Sequence, residues 1–186
     1  KTKVDILFEA IGLSDGISKK VVETALKNKV HVITPNKALI SKHGDYLGKL
    51  AEDNNVNLEF EASVAGGIPI LRTIKEGLAT NKISKVYGIL NGTTNYILSE
   101  IIELKDIEIA SQLNLRIKLL GISEIINGQL FETVHPCLVS KNSYIGNVSG
   151  VMNAVILEGK PVGESILQGE GAGPGPTSSS LLSDLL

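Results

Sequence analysis

The sequence predicts an α/β protein: part of a Rossmann-type nucleotide-binding domain with a mainly parallel sheet, followed by a sheet-rich second region. Three observations point there. Over residues 4–90, apolar runs of strand length alternate with stretches of helical period, the pattern that builds parallel sheets with helices laid against them. Beyond residue 107 the alternation gives way to one helix and several β-rich runs. The Gly-x-Gly-x-x-Gly turn that opens a complete dinucleotide fold is missing. What remains corresponds to the half that faces the nicotinamide end of a dinucleotide.

Taken in order, Val4 to Ile11 reads as a buried strand, broken only by Asp5 and Glu9 and ended by Gly12. Ser14 or Asp15 caps a helix in which Ile17, Val21, Val22, Ala25 and Leu26 recur on one face. Val30 to Thr34 is a second strand, rich in β-branched residues and stopped by Pro35. Lys37 to Asn54 is a helix that buries Leu39, Ile40, Leu47, Leu50 and Ala51, with Gly44 its weak point. Val56 to Val64 is a third strand. Pro69 to Ala79 is a helix that tolerates proline in its first turn. Ile83 to Leu90 is a fourth strand, in this sheet or in another. Ile107 to Leu115 then reads as helix, and Arg116 to Ser123, Gln129 to Val139 and Val151 to Glu158 as strands, with a hairpin at Gly128. These strands suit packing sheet to sheet, including against a second copy. Gly169 to Thr177 is a sharp loop, and Ser178 to Leu186 a helix burying Leu181, Leu182 and Leu185.

Composition narrows the class. The 186 residues are 42% hydrophobic with a net charge of -2 and no basic stripe, which argues against disorder and against nucleic-acid binding. No apolar run is long enough to cross a membrane, and Lys1 to Asp5 lack a signal-peptide pattern. A single cysteine excludes an intramolecular disulfide, and three scattered histidines make no zinc site. The expectation is a soluble, cytoplasmic globular protein with a small-molecule substrate.

Candidate chemistry gathers at strand ends. Strand polarity in a parallel sheet brings the carboxyl ends to one edge, where ligands bind. Those ends carry Glu9-Ala10-Ile11-Gly12, Thr34-Pro35-Asn36-Lys37 and Glu61-Ala62-Ser63-Val64-Ala65-Gly66-Gly67. Asn91-Gly92-Thr93-Thr94-Asn95 is a polar knot between two apolar runs. It suits either an ordinary helix cap or close approach to a polar ligand.

The second, third and fourth of these segments, with Ile68-Pro69 after Gly67, Tyr96 after the knot, and Gly171-Ala172-Gly173 followed by Pro176-Thr177, together closely resemble homoserine dehydrogenases. The similarity runs from Val4 to about Ser99 and from about Ile107 to Leu186. It implies NAD(P)-dependent interconversion of L-aspartate 4-semialdehyde and L-homoserine, a step toward threonine, isoleucine and methionine. It implies residues 1–60 and 174–186 as the nucleotide-binding domain, incomplete at its N-terminus. Residues 61–173 would bind substrate and form a homodimer. A helical stretch that bears two substrate-binding carboxylates and a proton-donor lysine in the family has no counterpart here. The expected gap lies near 101–103, and Glu100 and Glu103 do not fill those roles. Either the natural protein carries the stretch and this sequence closes up over it, which is the expectation, or the chain is a non-catalytic scaffold remnant or regulatory partner.

By the same resemblance Lys37 is the catalytic candidate and also touches the cofactor, NADP or NAD. Gly12, Thr93 and Gly171 are further cofactor contacts, and Gly92 and Thr93 substrate contacts. Glu61, Val64, Gly66 and Ile68 match a monovalent-cation site, expected to hold sodium on one carboxylate and backbone carbonyls. His135 and Cys137 share a strand face, the arrangement of a cysteine nucleophile with its base. Pro136 and the apolar surroundings favour a core position instead, and neither residue is given a role.

Overall fold

A computed structural model describes residues 4–91, 102–150 and 152–186. The chain divides into two compact units, Lys1–Gly67 with Gly173–Leu186, and Ile68–Ala172.

The first unit holds a parallel sheet of three strands in the order β1-β2-β3: Ile6–Phe8, His31–Ile33 and Leu58–Glu59. Helix α1, Ile17–Lys27, and helix α2, Lys37–Asn54, are the crossovers. Their apolar faces meet the sheet in one cluster of Val22, Leu26, Val32, Leu39, Leu47, Ala51, Val56 and Leu58. Burying each such Val or Leu side chain stabilises the fold by about 1.5–3 kcal/mol. Helix α2 begins where the sequence places it because Asn36 caps it, accepting from Leu39 N. It ends on Asn55, whose left-handed φ of 55° closes the last turn.

Two strands depart from expectation. The first was expected to be buried, yet Val4, Ile6 and Phe8 are exposed, because among the described residues β1 has only β2 as a neighbour. The third is cut to two residues and followed by a 3-10 turn, Glu61–Ser63. The backbone leaves the ladder there: Glu61 N donates to Asp184 Oδ2, and Ser63 donates through both N and Oγ to Phe60 O. The C-terminal helix, α6, Pro174–Leu185, starts at Pro174 rather than Ser178, since proline is well suited to a first helical turn. Its inward face is polar. Ser180 is buried and donates to Gly66 O, while Leu182 and Leu185, expected inside, are exposed.

The second unit is an antiparallel sheet in the order β6-β5-β4-β7-β8, with β4 Lys82–Ile89, β5 Leu115–Ile126, β6 Gln129–Ser140, β7 Met152–Lys160 and β8 Gly163–Glu170. The fourth strand thus belongs to this second sheet and not to the parallel one. Asn127 and Gly128, both at positive φ, form the two-residue turn between β5 and β6. Strand β8 escaped the sequence reading: it is a partly exposed edge rich in Glu, Ser and Gln, and it pairs with β7 through the Pro161-Val162 turn. Helix α3 is a short turn, Ile70–Arg72, that continues as a π turn, Thr73–Gly77, where Leu78 N reaches back to Thr73 O. Helix α4, Leu104–Gln112, lies three residues earlier than expected and is stopped by Asn114 in the left-handed region. Helix α5 is Tyr144–Asn147. Ile145 of α5 and Val148 just after it pack with Ile89, Leu120, Ala154 and Ile156 in the core of this unit.

Gly88 gives this sheet a sharp test. A Cβ there would lie 2.0 Å from Ala154 O and 2.9 Å from Val155 Cα, both backbone atoms of β7. Such overpacking costs about 1–3 kcal/mol. Gly88→Ala is therefore expected to lower the free energy of unfolding by that amount, read from the fall in the urea midpoint at constant slope.

Candidate functional site

The site in the first unit is built around Glu9. This carboxylate ends β1 and is 2% exposed. Ile11 N donates to Oε1 at 2.8 Å, Ser18 Oγ to Oε1 at 3.0 Å, Thr34 Oγ1 to Oε2 at 2.6 Å and Asn36 Nδ2 to Oε2 at 3.3 Å. Burial alone would push the carboxyl upward, but hydrogen bonds from Thr34, Ile11 N, Ser18 and Asn36 outweigh it and hold Glu9 below its ordinary value.

These bonds join three segments. Thr34 Oγ1 also accepts from Asn36 N, and Asn36 Oδ1 accepts from Leu39 N. Asn36 Nδ2 further donates to Leu13 O, tying the loop after β1 to the turn after β2. The outer side of that loop is fixed too: Asp15 receives Lys42 Nζ at 2.6 Å and lies 2.9 Å from His43 Nε2. The Lys42 ammonium, then His43 and Ser14, hold Asp15 well below the usual carboxylate range.

Lys37 is the first residue of α2, exposed, at the carboxyl edge of the sheet. None of the ion pairs among the described residues engages it. Gly12, at φ +86°, has open space on its Cα side and lies inside the loop that Asn36 pins. The structure therefore places Lys37 and the Gly12 loop on one scaffold.

Two family models match the chain. The homoserine dehydrogenase family matches residues 69–104 and 100–186, well over half of the chain. The homoserine dehydrogenase NAD binding domain matches residues 1–61. The chain belongs to the homoserine dehydrogenase family. A homoserine dehydrogenase of Neisseria gonorrhoeae is 33% identical over 98% of this chain and 56% of its own length. One from Bacillus subtilis is 32% identical over 98% of this chain and 56% of its own length. The solved homoserine dehydrogenase of Thiobacillus denitrificans superposes with a TM-score of 0.91 at 32% identity, covering 97% of this chain and 56% of that one. The chain thus spans little more than half the length of these relatives. The alignment with the Neisseria protein runs over 244 positions, more than the 186 residues here, so the relative carries residues with no counterpart in this sequence.

The other family candidates fall in different places. Gly92 and Thr93, with Ile101 of the expected gap, lie outside the described residues. Gly171 belongs to the second unit and is pressed on the side chain of Asn153: an added Cβ would meet Nδ2 at 1.8 Å. Of the cation candidates, Glu61 is buried and starts the 3-10 turn, and Val64 N donates to Glu61 O. Ala65 and Gly66 follow with positive φ of 55° and 66°, which turns the backbone sharply. Gly66 O already accepts from Ser180 Oγ at 2.8 Å, leaving one of its two lone pairs. Ile68 belongs to the second unit. Among the described residues no three His, Cys, Asp or Glu side chains cluster as metal ligands.

Cys137 is only partly buried and His135 is exposed, so the expected core position is half met: the cysteine packs at the rim of the second unit's core. Its Sγ lies 3.3 Å from His135 Nδ1, yet burial pushes the thiol up rather than down. A nucleophilic cysteine needs the opposite shift. The sequence put Glu9 at a strand end with candidate chemistry but gave its side chain no role. Its signal was a carboxylate inside an apolar strand, a residue type that stays buried only when fully hydrogen-bonded.

Proposed function

We propose that the protein to which this chain belongs interconverts aspartate semialdehyde and homoserine with NAD or NADP, with Lys37 at the reacting end of the site. The observation that carries this reading is Lys37 itself, exposed on the first turn of α2 at the carboxyl edge and locked to the Gly12 loop through Asn36. The residues present suit the nicotinamide end of the cofactor: an open glycine backbone at residue 12 after β1 and the exposed Lys37 after the neighbouring β2. When bound, the nicotinamide supplies or accepts the hydride. The chain's own residues do the rest. The Lys37 ammonium meets the negative charge that develops on the aldehyde oxygen, and the rigid strand-end turn keeps it there without reorganisation. Helix α2 adds the positive end of its dipole on the same side.

Several finer readings belong with this proposal. Glu61 and the backbone carbonyls of Val64 and Gly66 remain the first unit's contribution to a sodium site. The products would feed threonine, isoleucine and methionine synthesis in the cytoplasm. Residues 61–173 would bind substrate and form the homodimer. The two family-model matches meet at residues 100–104, which supports placing the missing acid-base stretch there.

Activity and mass together test the reading. The purified natural protein should oxidise NADPH or NADH on addition of aspartate semialdehyde, and its intact mass should exceed 19.8 kDa. A mass equal to that value with no turnover would favour the scaffold alternative.

A further inference from the structure

We propose that Glu9 is a positioning residue: its buried carboxylate, acting through Thr34 and Asn36, sets the orientation of Lys37 and of the Ile11–Leu13 loop. The inference rests on the activity proposed above only for its kinetic readout.

The bond directions make the case. Thr34 Oγ1 accepts from Asn36 N, so its own hydrogen is committed to Glu9 Oε2. Asn36 uses Oδ1 to cap α2 at Leu39 N, and turns Nδ2 toward both Glu9 and Leu13 O. Every side-chain donor in the cluster therefore points the same way, toward Glu9 or the Leu13 carbonyl. Only an acceptor with two oxygens satisfies Ile11 N, Ser18 Oγ, Thr34 Oγ1 and Asn36 Nδ2 at once. An amide in place of the carboxylate would put an N–H against one of these donors. The hydroxyls could rotate in response, but Ile11 N and Asn36 Nδ2 could not. The cap residue Asn36 immediately precedes Lys37, so loosening the cap turns the first residue of α2 directly. A buried carboxylate with this many donors costs desolvation for no packing gain, and a well-packed apolar residue would hold the strand end equally well. What an apolar residue could not do is hold two loops in register at the ligand edge.

The network also has a built-in control. Ser18 binds the same carboxylate from the α1 side, away from the Thr34–Asn36–Lys37 relay. Glu9→Gln, Thr34→Val and Ser18→Ala should be compared with the wild type for melting temperature, kcat, and amide exchange at Asn36 and Leu39. The expected result is a kcat reduced tenfold or more in Glu9→Gln and Thr34→Val but within twofold in Ser18→Ala. Exchange at Asn36 and Leu39 should be at least tenfold faster in the first two variants only. Equal kinetic loss in all three, or a lower melting temperature with kcat and exchange unchanged, would overturn the proposal. Exchange needs no turnover. An inactive wild type would therefore sink the assigned activity while the amides of Asn36 and Leu39 still decide the role of Glu9.

Discussion

Replacing Lys37 with alanine should lower turnover by about two to four orders of magnitude, the usual range for losing a positioned proton-transfer group, and leave the fold at least as stable as before. The second half of that expectation makes the first informative. Lys37 is exposed at the N-terminus of α2, and no acidic residue stands in the first turn to offset its charge. A cation there faces the positive end of the helix dipole, which costs about 0.3–1 kcal/mol. Alanine removes that penalty and is also the better helix former. A residue retained for stability would not sit against the dipole, so its presence needs another reason. Urea denaturation should give an unchanged or slightly higher midpoint while kcat collapses. Lys37→Arg separates the two duties of the ammonium. Arginine keeps the charge but holds its proton far too tightly to give it up. Activity close to wild type in the arginine variant would leave charge alone as the contribution. A further loss of nearly the alanine size would point to proton transfer. Lys49→Ala serves as the control, since Lys49 is an exposed lysine farther along the same helix, away from the strand-end turn. Near wild-type turnover in Lys37→Ala would remove this residue from the reaction.

Residues governed by local period and by turn chemistry were legible in the sequence. Helix α2 came out with its bounds because its signals are local: a proline before it, a capping asparagine, an apolar face and a left-handed stop at Asn55. The Asn127-Gly128 turn was equally legible at its glycine, since two successive positive φ angles demand such residues. What failed was decided by distant partners. The third strand looked nine residues long because Val56 to Val64 alternates apolar and polar residues, but Asp184, 123 positions along the chain, takes Glu61 N out of the ladder. The C-terminal helix looked leucine-faced, yet the partners waiting for it are a carbonyl and a backbone amide, so Ser180 and Asp184 turn inward. Strand β8 was passed over because an edge strand shows little apolar alternation. At the site, Lys37 was singled out by the Thr34-Pro35-Asn36-Lys37 motif rather than by spacing, and it stands on the first turn of α2. Glu9 was not, because its meaning lies in four donors drawn from three segments.

Placing aspartate at Val134 and Leu138 should convert a homodimer into monomers without unfolding the chain. Leu130, Val134 and Leu138 alternate onto one face of β6 and are 63%, 71% and 60% exposed. Their cross-strand partners on β5 are Ile125, Gly121 and Ile117, and Pro136 opposite Leu119 and Glu132 opposite Ser123 fall between them, so the stripe is two strands wide and apolar except at Glu132 and Ser123. The opposite face carries Cys137 and Val139 against the core of the unit, which leaves the Leu130 face as the one available for a second sheet. Burying these side chains yields about 1.5–3 kcal/mol each. Two-fold symmetry doubles that number, because every residue of a self-complementary patch is used twice. Micromolar dimerisation requires a net of about 8 kcal/mol after the cost of association is met, so the stripe is one contribution among those of the whole sheet face. The same symmetry magnifies the cost of a charge, since one substitution buries two carboxylates facing like partners. Light scattering at micromolar concentration should give twice the single-chain mass for the wild type and one chain mass for the double variant, with far-UV circular dichroism unchanged. A monomeric wild type would refute sheet association outright. A variant that stays dimeric would move the interface away from this face, to the unpaired edge of β6 or to another surface.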